Sequence, residues 1–338
     1  MPVQLPFSPA ILFDASFDAA QFEALALDLF RYQAAHNEVY RQYISLLGVD
    51  PSAVCTLIDI PFLPVELFKQ WRIVTGTLPI EYVFTSSGTT GSITSSHYVA
   101  DLSLYRQSYT RCFELFYGSV ARYAVLALLP AYLERSGSSL VYMAQDIITQ
   151  SQHPESGFYR YDHARLAGML QALSAKKQAT LLLGVTFGLL DFAESYPQPL
   201  PHTIIMETGG MKGRRREMVR PEVHDILQKA FGASAIHSEY GMTELLSQAY
   251  SEGNGLFRCP PWMRILLRDP YVPTHTLLPP TIEQVSIAGA INVIDLANIH
   301  SCAFIATADL ARQYADGCFE VLGRMDNSDI RGCNLLVI

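Results

Sequence analysis

The chain has 338 residues, 49% of them hydrophobic and 17% charged, with a formal net charge of −8. Such a composition supplies a large core and excludes an intrinsically disordered chain, and the length suits one large domain or two of ordinary size. The acidic balance argues against a nucleic-acid-binding protein, which would carry a basic face; the one basic cluster, Lys212 with Arg214, Arg215 and Arg216, is too short to reverse it.

Met1 to Asp14 has neither a basic start nor a long apolar run, so no signal peptide is read there. From Phe17 to Leu47, apolar residues at helical spacing (Phe22, Leu25, Leu29, Tyr32, Tyr40) predict two helices or one broken helix, capped by Asp18 or Ser16. In Ile60-Pro61-Phe62-Leu63-Pro64, two prolines three apart forbid a regular helix and predict an extended strap leading into a short helix. Thr77 to Phe84 reads as a strand. It delivers Thr85-Ser86-Ser87-Gly88-Thr89-Thr90-Gly91-Ser92, where glycines permit tight turns and hydroxyls supply short donors. Successive backbone N–H groups in such a loop can line an anion-sized concavity. No Gly-Lys-Ser/Thr closes it, so it is not a Walker A loop. A solvated Ser/Thr/Gly-rich turn is the alternative for the loop taken alone.

Further along, Asp101 to Tyr117 is predicted as a helix, Tyr123 to Leu129 as a buried strand stopped by Pro130, and Ser138 to Ile148 as a helix. Ala164 to Ala175 continues as helix, Ala179 to Val185 as buried strand, and a helix follows through Glu194. After a connector bearing Pro197, Pro199 and Pro201, a strand from His202 to Glu207 runs into Thr208-Gly209-Gly210. Pro221 to Phe231 is a helix, and a short strand over Ala235 to Ser238 meets Glu239-Tyr240-Gly241-Met242-Thr243-Glu244. The recurring order of strand, turn and helix predicts an α/β core with a largely parallel sheet, with ligands at the carboxyl ends of its strands. After residue 255, short runs such as Arg264–Leu267, Gln284–Val293 and Phe319–Val321 alternate with turn residues and predict a mostly β subdomain. The expected division is therefore an α/β core over residues 1–255 and a mostly β unit over 256–338.

The six cysteines show no C-x-x-C spacing, which gives a zinc site no support and reads as free thiols in a reducing compartment. The longest apolar runs, at Tyr123–Pro130 and Leu181–Leu190, are too short to span a bilayer. The expectation is a soluble, cytoplasmic protein with no membrane insertion.

Four signals come in a fixed order: the Thr85–Gly91 loop, Gly209-Gly210, Tyr240-Gly241-Met242-Thr243-Glu244, and Thr307-Ala308-Asp309 followed by Gly317 to Asp326. Together they resemble the adenylate-forming enzymes, which make an acyl-AMP from a carboxylic acid and ATP. Ile60-Pro61-Phe62-Leu63-Pro64, Glu207-Thr208-Gly209-Gly210 and Asp329-Ile330-Arg331-Gly332-Cys333-Asn334 narrow the resemblance to the acyl-protein synthetases of bacterial bioluminescence, the LuxE family. More distantly the chain is similar to the phenylacetate–CoA ligases.

The resemblance implies the large N-terminal domain of an adenylate-forming enzyme: parallel and mixed sheets flanked by helices, plus a mostly β subdomain. It implies that Ser86, Ser87, Gly88, Thr89, Thr90 and Gly91 wrap the β,γ-phosphates of ATP. Thr243 would touch the α-phosphate, and Glu244 would hold Mg²⁺. Tyr240 and Gly241 would form one wall of the adenine slot and Gly209 and Gly210 the other. Asp309 would accept from the ribose hydroxyls, and Arg324 would lie near ribose and phosphate. Cys333 would take the acyl group as a thioester before a partner protein, such as a reductase or a carrier, receives it. Read from residue type alone, Cys333 is a small buried cysteine in a final apolar strand, Glu244 a first-turn helix carboxylate, and Asp309 a turn residue.

The chain departs from the family pattern in three places. Ile93 and Thr94 stand where many relatives continue with proline and lysine, and Ala308 replaces the glycine of Thr-Gly-Asp. The sequence also stops at Ile338, so the lysine that relatives carry in a small C-terminal domain cannot be assigned, and that domain is expected to be largely missing. This short form agrees with the acyl-protein synthetase branch. A CoA- or carrier-dependent acyl or aryl ligase, and a non-catalytic nucleotide- or acyl-binding partner, are the alternative readings.

Overall fold

The computed structural model describes residues 4–86, 94–129, 137–209 and 218–325. Two helices open it, α1 (Ala19–His36) and α2 (Glu38–Leu46). Asp18 caps α1 in a capping box with Gln21, whose backbone N–H reaches the Asp18 carboxylate at 2.8 Å. The expected break falls at Asn37. Its side chain accepts from Tyr40 N at 3.0 Å, starting α2, while its amide donates to Ser301 O at 2.9 Å. The strap at Pro61–Pro64 contributes the short strand β1 (Leu63–Pro64), followed by a 3-10 turn over Val65–Lys69.

Next come β2 (Tyr82–Thr85) and β3 (Ser96–Val99), an antiparallel ribbon on either side of the Ser/Gly loop. The predicted strand from Thr77 is shorter than expected. Pro79 lacks the N–H that a ladder needs, and pairing starts only at Tyr82. The helix α3 (Leu102–Tyr117) begins at Asp101, whose carboxylate accepts from Ser103 N and Leu104 N at 2.9 and 3.1 Å.

The α/β core follows as β4 (Ala124–Leu128), α4 (Ser139–Ser151), β5 (Gly157–Phe158), α5 (His163–Ala175), β6 (Thr180–Val185), α6 (Thr186–Ser195), β7 (Thr203–Thr208), α7 (Arg220–Phe231), β8 (His237–Tyr240) and β9 (Ala249–Ser251). These strands form one sheet in the order β5-β4-β6-β7-β8-β9, parallel except for the antiparallel β8–β9 pair. Every residue of β4 and β6 is buried, as unbroken apolar strands covered on both faces must be.

The second sheet holds β10 (Met263–Arg268), β11 (Ser286–Asp295), β12 (Phe304–Tyr314) and β13 (Phe319–Arg324), all antiparallel, with β1 added parallel to β12. The N-terminal strap is thereby stitched into the later sheet, and Tyr40 secures it by donating to Pro61 O at 2.5 Å. Buried Arg268 pins β10, β11 and β12 together through Ile291 O, Asn292 Oδ1 and Thr307 O at 2.6, 2.9 and 2.5 Å. Among the described residues no helix is long and apolar enough to cross a membrane.

Candidate functional site

The carboxyl ends of β7 and β8 and the facing edge of the second sheet bring most of the sequence motifs to one rim. Tyr240 closes β8, and its hydroxyl donates to Asp309 Oδ2 at 2.9 Å. Its ring packs edge-on against Phe257 and Phe319, which fixes the phenol's direction. Asp309 lies within β12, not in a turn, and pairs in register with Arg324 at the end of β13. The Arg324 guanidinium reaches Asp309 Oδ1 at 3.3 Å and is otherwise exposed, with side-chain accessibility of 76%. Ala308 is tolerated where glycine was expected because this segment is strand: its carbonyl accepts from Met325 N at 2.7 Å.

Thr243 and Glu244 sit in a turn between β8 and β9, closed by Leu245 N donating to Met242 O at 3.1 Å. No helix starts there, so the first-turn-helix reading of Glu244 is replaced by a buried carboxylate, 4% exposed. Burial raises its pKa above the usual value. The Ser95 hydroxyl bonded to it, its own backbone, Arg324 and Lys69 oppose that rise.

The turn is held from three directions. His97 in β3 has Nδ1 at 2.8 Å from Thr243 O and Nε2 at 3.1 Å from Asn298 Oδ1. Asn298 in turn donates from Nδ2 to Glu244 O at 2.8 Å. Asp295, wholly buried, accepts from Leu246 N, Ser247 N and Ser247 Oγ at 2.8, 3.0 and 2.6 Å. Gln33 of α1 backs this up by donating to Asn298 O and Ile299 O, both at 3.0 Å. Burial lowers the pKa of His97 to about 4 against the bonds to Thr243 and Asn298, so the ring is neutral at neutral pH.

Ser86 and Ser95 close the neck of the Ser/Gly loop: Ser86 N donates to Ser95 O at 3.0 Å, and Ser95 N to Ser86 Oγ at 2.9 Å. The neck thus touches Glu244 through the Ser95 hydroxyl. Gly209 follows β7 with φ of 75°, a left-handed conformation that favours glycine, and its carbonyl accepts from Thr186 Oγ1 at 3.2 Å. Ser87, Gly88, Thr89, Thr90, Gly91, Gly210, the cluster Lys212 to Arg216, and Cys333 lie outside the described residues.

Sequence reasoning gave no role to His97 and missed Asn298, Asp295 and the support beneath Gly209. That support is Glu207, whose carboxylate accepts from Arg220 Nε at 3.1 Å and Thr186 Oγ1 at 2.8 Å. Arg220 also donates to Val321 O at 3.1 Å and lies over the Phe257 ring, so one side chain ties β7 to β13. Burial alone would raise the Glu207 pKa, but His224, Arg220, Ser238 and Thr186 hold it down to about 2.

The family model described as acyl-protein synthetase, LuxE, matches residues 11–121. The matched stretch contains the Pro61–Pro64 strap and the Ser/Gly loop. Among solved structures, a 2-hydroxyisobutyryl-CoA ligase in its postadenylation state superposes with a TM-score of 0.64 at 15% identity, over 92% of this chain and 69% of its own. A long-chain-fatty-acid-CoA ligase from Archaeoglobus fulgidus gives 0.52 at 12% identity over 73% of this chain and 52% of its own. An o-succinylbenzoate CoA synthetase from Bacillus subtilis gives 0.50 at 17% identity over 74% and 50%. The fold is that of the adenylate-forming enzymes, and the chain spans only about half the length of the latter two. No curated protein matches it in sequence.

Among the described residues no three His, Cys, Asp or Glu side chains gather as a metal cluster. Magnesium does not require one. It is commonly held by one or two carboxylates together with substrate phosphates and water. Glu244 fits that role: a buried carboxylate whose charge is under-compensated by its neighbours, beside the neck of the Ser/Gly loop.

Proposed function

We propose that this protein is an ATP-dependent ligase that activates a carboxylic acid as its acyl-adenylate and passes the acyl group to a thiol. The observation that carries the reading is the convergence of Tyr240, Asp309 and Arg324 with the clamped Thr243-Glu244 turn on one rim. The LuxE match and the adenylate-forming fold support it.

In this reading Asp309 accepts from the ribose hydroxyls, for which a carboxylate held by Tyr240 is suited. Tyr240-Gly241 and Gly209-Gly210 flank adenine. Arg324, exposed and loosely paired, swings toward the α-phosphate. Thr243 contacts that phosphate, and Ser86 to Gly91 wrap the β,γ-phosphates. Glu244 would hold Mg²⁺, which supplies charge neutralisation to the polyphosphate when bound. A carboxylate oxygen of the acid attacks the α-phosphorus, and the bond to pyrophosphate breaks. Positioning and charge stabilisation carry such a step. The Cys333 thiolate then attacks the acyl carbon. The C–S bond forms as the C–O bond to AMP breaks, and AMP leaves. A fatty or aryl acid is the proposed substrate class. The acceptor that follows is a reductase or carrier protein.

Incubation with ATP, Mg²⁺ and radiolabelled acids tests the scheme. Hydroxylamine-labile label on the protein that disappears in Cys333→Ser supports both steps. Acid-dependent pyrophosphate exchange without protein label supports adenylation and removes the cysteine step, and nucleotide binding with neither signal removes the enzymatic reading.

A further inference from the structure

Glu239 and Gln248 lie over the same side of Gly241. A Cβ at that position would sit 2.4 Å from Glu239 Oε1 and 3.4 Å from Gln248 Cγ, so glycine is what leaves Glu239 its space. Both are buried, Glu239 at 8% and Gln248 at 4% exposure. Thr208, paired with Glu239 in register across β7 and β8, donates to Glu239 Oε2. Gln248 Oε1 is buried with no hydrogen-bond partner. A buried acceptor without a donor costs on the order of 1–3 kcal/mol, and a fold tolerates it chiefly where something else supplies the donor.

Tyr105 does not meet that need. Tyr105, close enough to Glu239 for their charges to interact, gives its hydroxyl to Ser139 O at 3.1 Å. Tyr105 also packs with Phe84 and Tyr142, an aromatic wall beside a pair of acceptors. Placement gives the pair its meaning. Glu239 immediately precedes Tyr240, Thr208 immediately precedes Gly209, and Gly241 separates both from the Thr243-Glu244 turn. Glu239 therefore stands between the two glycine turns, with Gln248 beside it over Gly241, and in the adenylation reading this is where the acid approaches the α-phosphate.

We propose that Glu239 and Gln248 recognise a hydrogen-bond donor carried by the carboxylic acid, so that an acid with a hydroxyl or amino group near its carboxyl is selected over the plain alkanoic acid. The proposal rests on the adenylation reading above and narrows its substrate. A plain acid bound there leaves Gln248 Oε1 unmet, and a site built to hydrogen-bond a substrate group discriminates strongly against the analogue that lacks it. Burial raises the Glu239 pKa to about 7 against the bond from Thr208, and a donor arriving from the substrate stabilises the ionised form.

The test compares matched pairs: butyrate with 3-hydroxybutyrate and 3-aminobutyrate, and dodecanoate with 3-hydroxydodecanoate. Calorimetric binding and acid-dependent pyrophosphate exchange are both read. Wild type is expected to bind the donor-bearing member about tenfold or more tightly, the value of one hydrogen bond to a charged group. Gln248→Leu and Glu239→Gln should each shrink that gap to about threefold or less. Thermal unfolding is followed in parallel, and Gln248→Leu, nearly isosteric, carries the test should Glu239→Gln not fold. Equal binding of both members by wild type, no binding of any acid, or a gap unchanged in both variants overturns the proposal. A tenfold preference in binding with no exchange for any acid supports the recognition site and removes the adenylation reading. Exchange equal for both members does the reverse.

Discussion

Tyr240 donates its phenolic hydrogen to Asp309 Oδ2 at 2.9 Å, joining the end of a strand in the parallel sheet to the middle of one in the antiparallel sheet. Because Arg324 approaches the other oxygen of the same carboxylate, Asp309 is oriented from both sides. Tyr240→Phe removes one of these holds and keeps the ring packing. It is expected to cost about 1–2 kcal/mol of stability and to weaken ATP binding by about tenfold. Asp309→Asn keeps an oxygen for Tyr240 and removes the charge, so it should weaken ATP binding more and stability less. Urea unfolding and calorimetric nucleotide titration separate the two. Equal effects of the two variants on both readouts would contradict the assigned division of labour.

His97 makes a pH prediction. Its folded-state pKa, about 4, lies below the ordinary 6.5, so between those values the unfolded chain binds a proton that the folded chain refuses. Stability is therefore full above about pH 7 and falls as pH drops through 6.5 toward 4, by about 3 kcal/mol for a shift of this size. His97→Gln offers one amide to Thr243 O and Asn298 and cannot charge. Its urea midpoint should be lower at pH 7.5 and lose this part of the slope between pH 6.5 and 4.5. A wild-type slope retained in the variant shows that another group carries it.

The legible parts of this molecule are those where local chemistry and tertiary structure agree. Thr180–Val185 is apolar throughout and became a strand buried on both faces; Asn37 and Asp101 bear capping side chains and stand at helix starts. The motif turn at Gly209 was readable because it follows the apolar run of β7, and the one at Tyr240 by its Tyr-Gly-Met-Thr-Glu sequence. The clamp around Thr243 was not. His97 and Asn298 are separated by 201 residues, and each is an ordinary polar residue in its own neighbourhood. The first-turn reading of Glu244, the alternative from residue type alone, fails because no helix follows it. Only Asp295, at the end of β11, and Asn298, just after it, show why the chain stays in a turn and goes on into β9.

The Glu207–Arg220 pair predicts an asymmetry between removing one partner and removing both. Glu207 is 4% exposed at its side chain and Arg220 24%, at 3.1 Å. Arg220→Met leaves a buried carboxylate without its guanidinium, held by His224, Ser238 and Thr186 alone, and should cost about 3–5 kcal/mol, with lowered ATP affinity because Gly209 and β13 lose their common anchor. Adding Glu207→Gln to Arg220→Met should return at least about half of the lost stability, since the stranded charge is gone. ATP affinity should not return with it, because Val321 O still lacks its donor. Chemical denaturation and nucleotide titration of the single and double variants check both halves.

Gly241→Ala probes the packing on which Glu239 depends. The added methyl would lie 2.4 Å from Glu239 Oε1, inside contact distance, so the carboxylate must turn away and give up its bond from Thr208. Overpacking and the lost hydrogen bond together should cost about 1–3 kcal/mol. Glu239→Ala in the same chain removes the obstructing oxygen, and a methyl at 241 then meets only Gln248 Cγ at 3.4 Å, an ordinary contact. The double variant should therefore be no less stable than Glu239→Ala alone, within about 0.5 kcal/mol, giving a coupling energy of about 1 kcal/mol or more. Urea unfolding of the four proteins measures it. Additive costs would mean that Gly241 is needed for its backbone and not for the room it leaves beside Glu239.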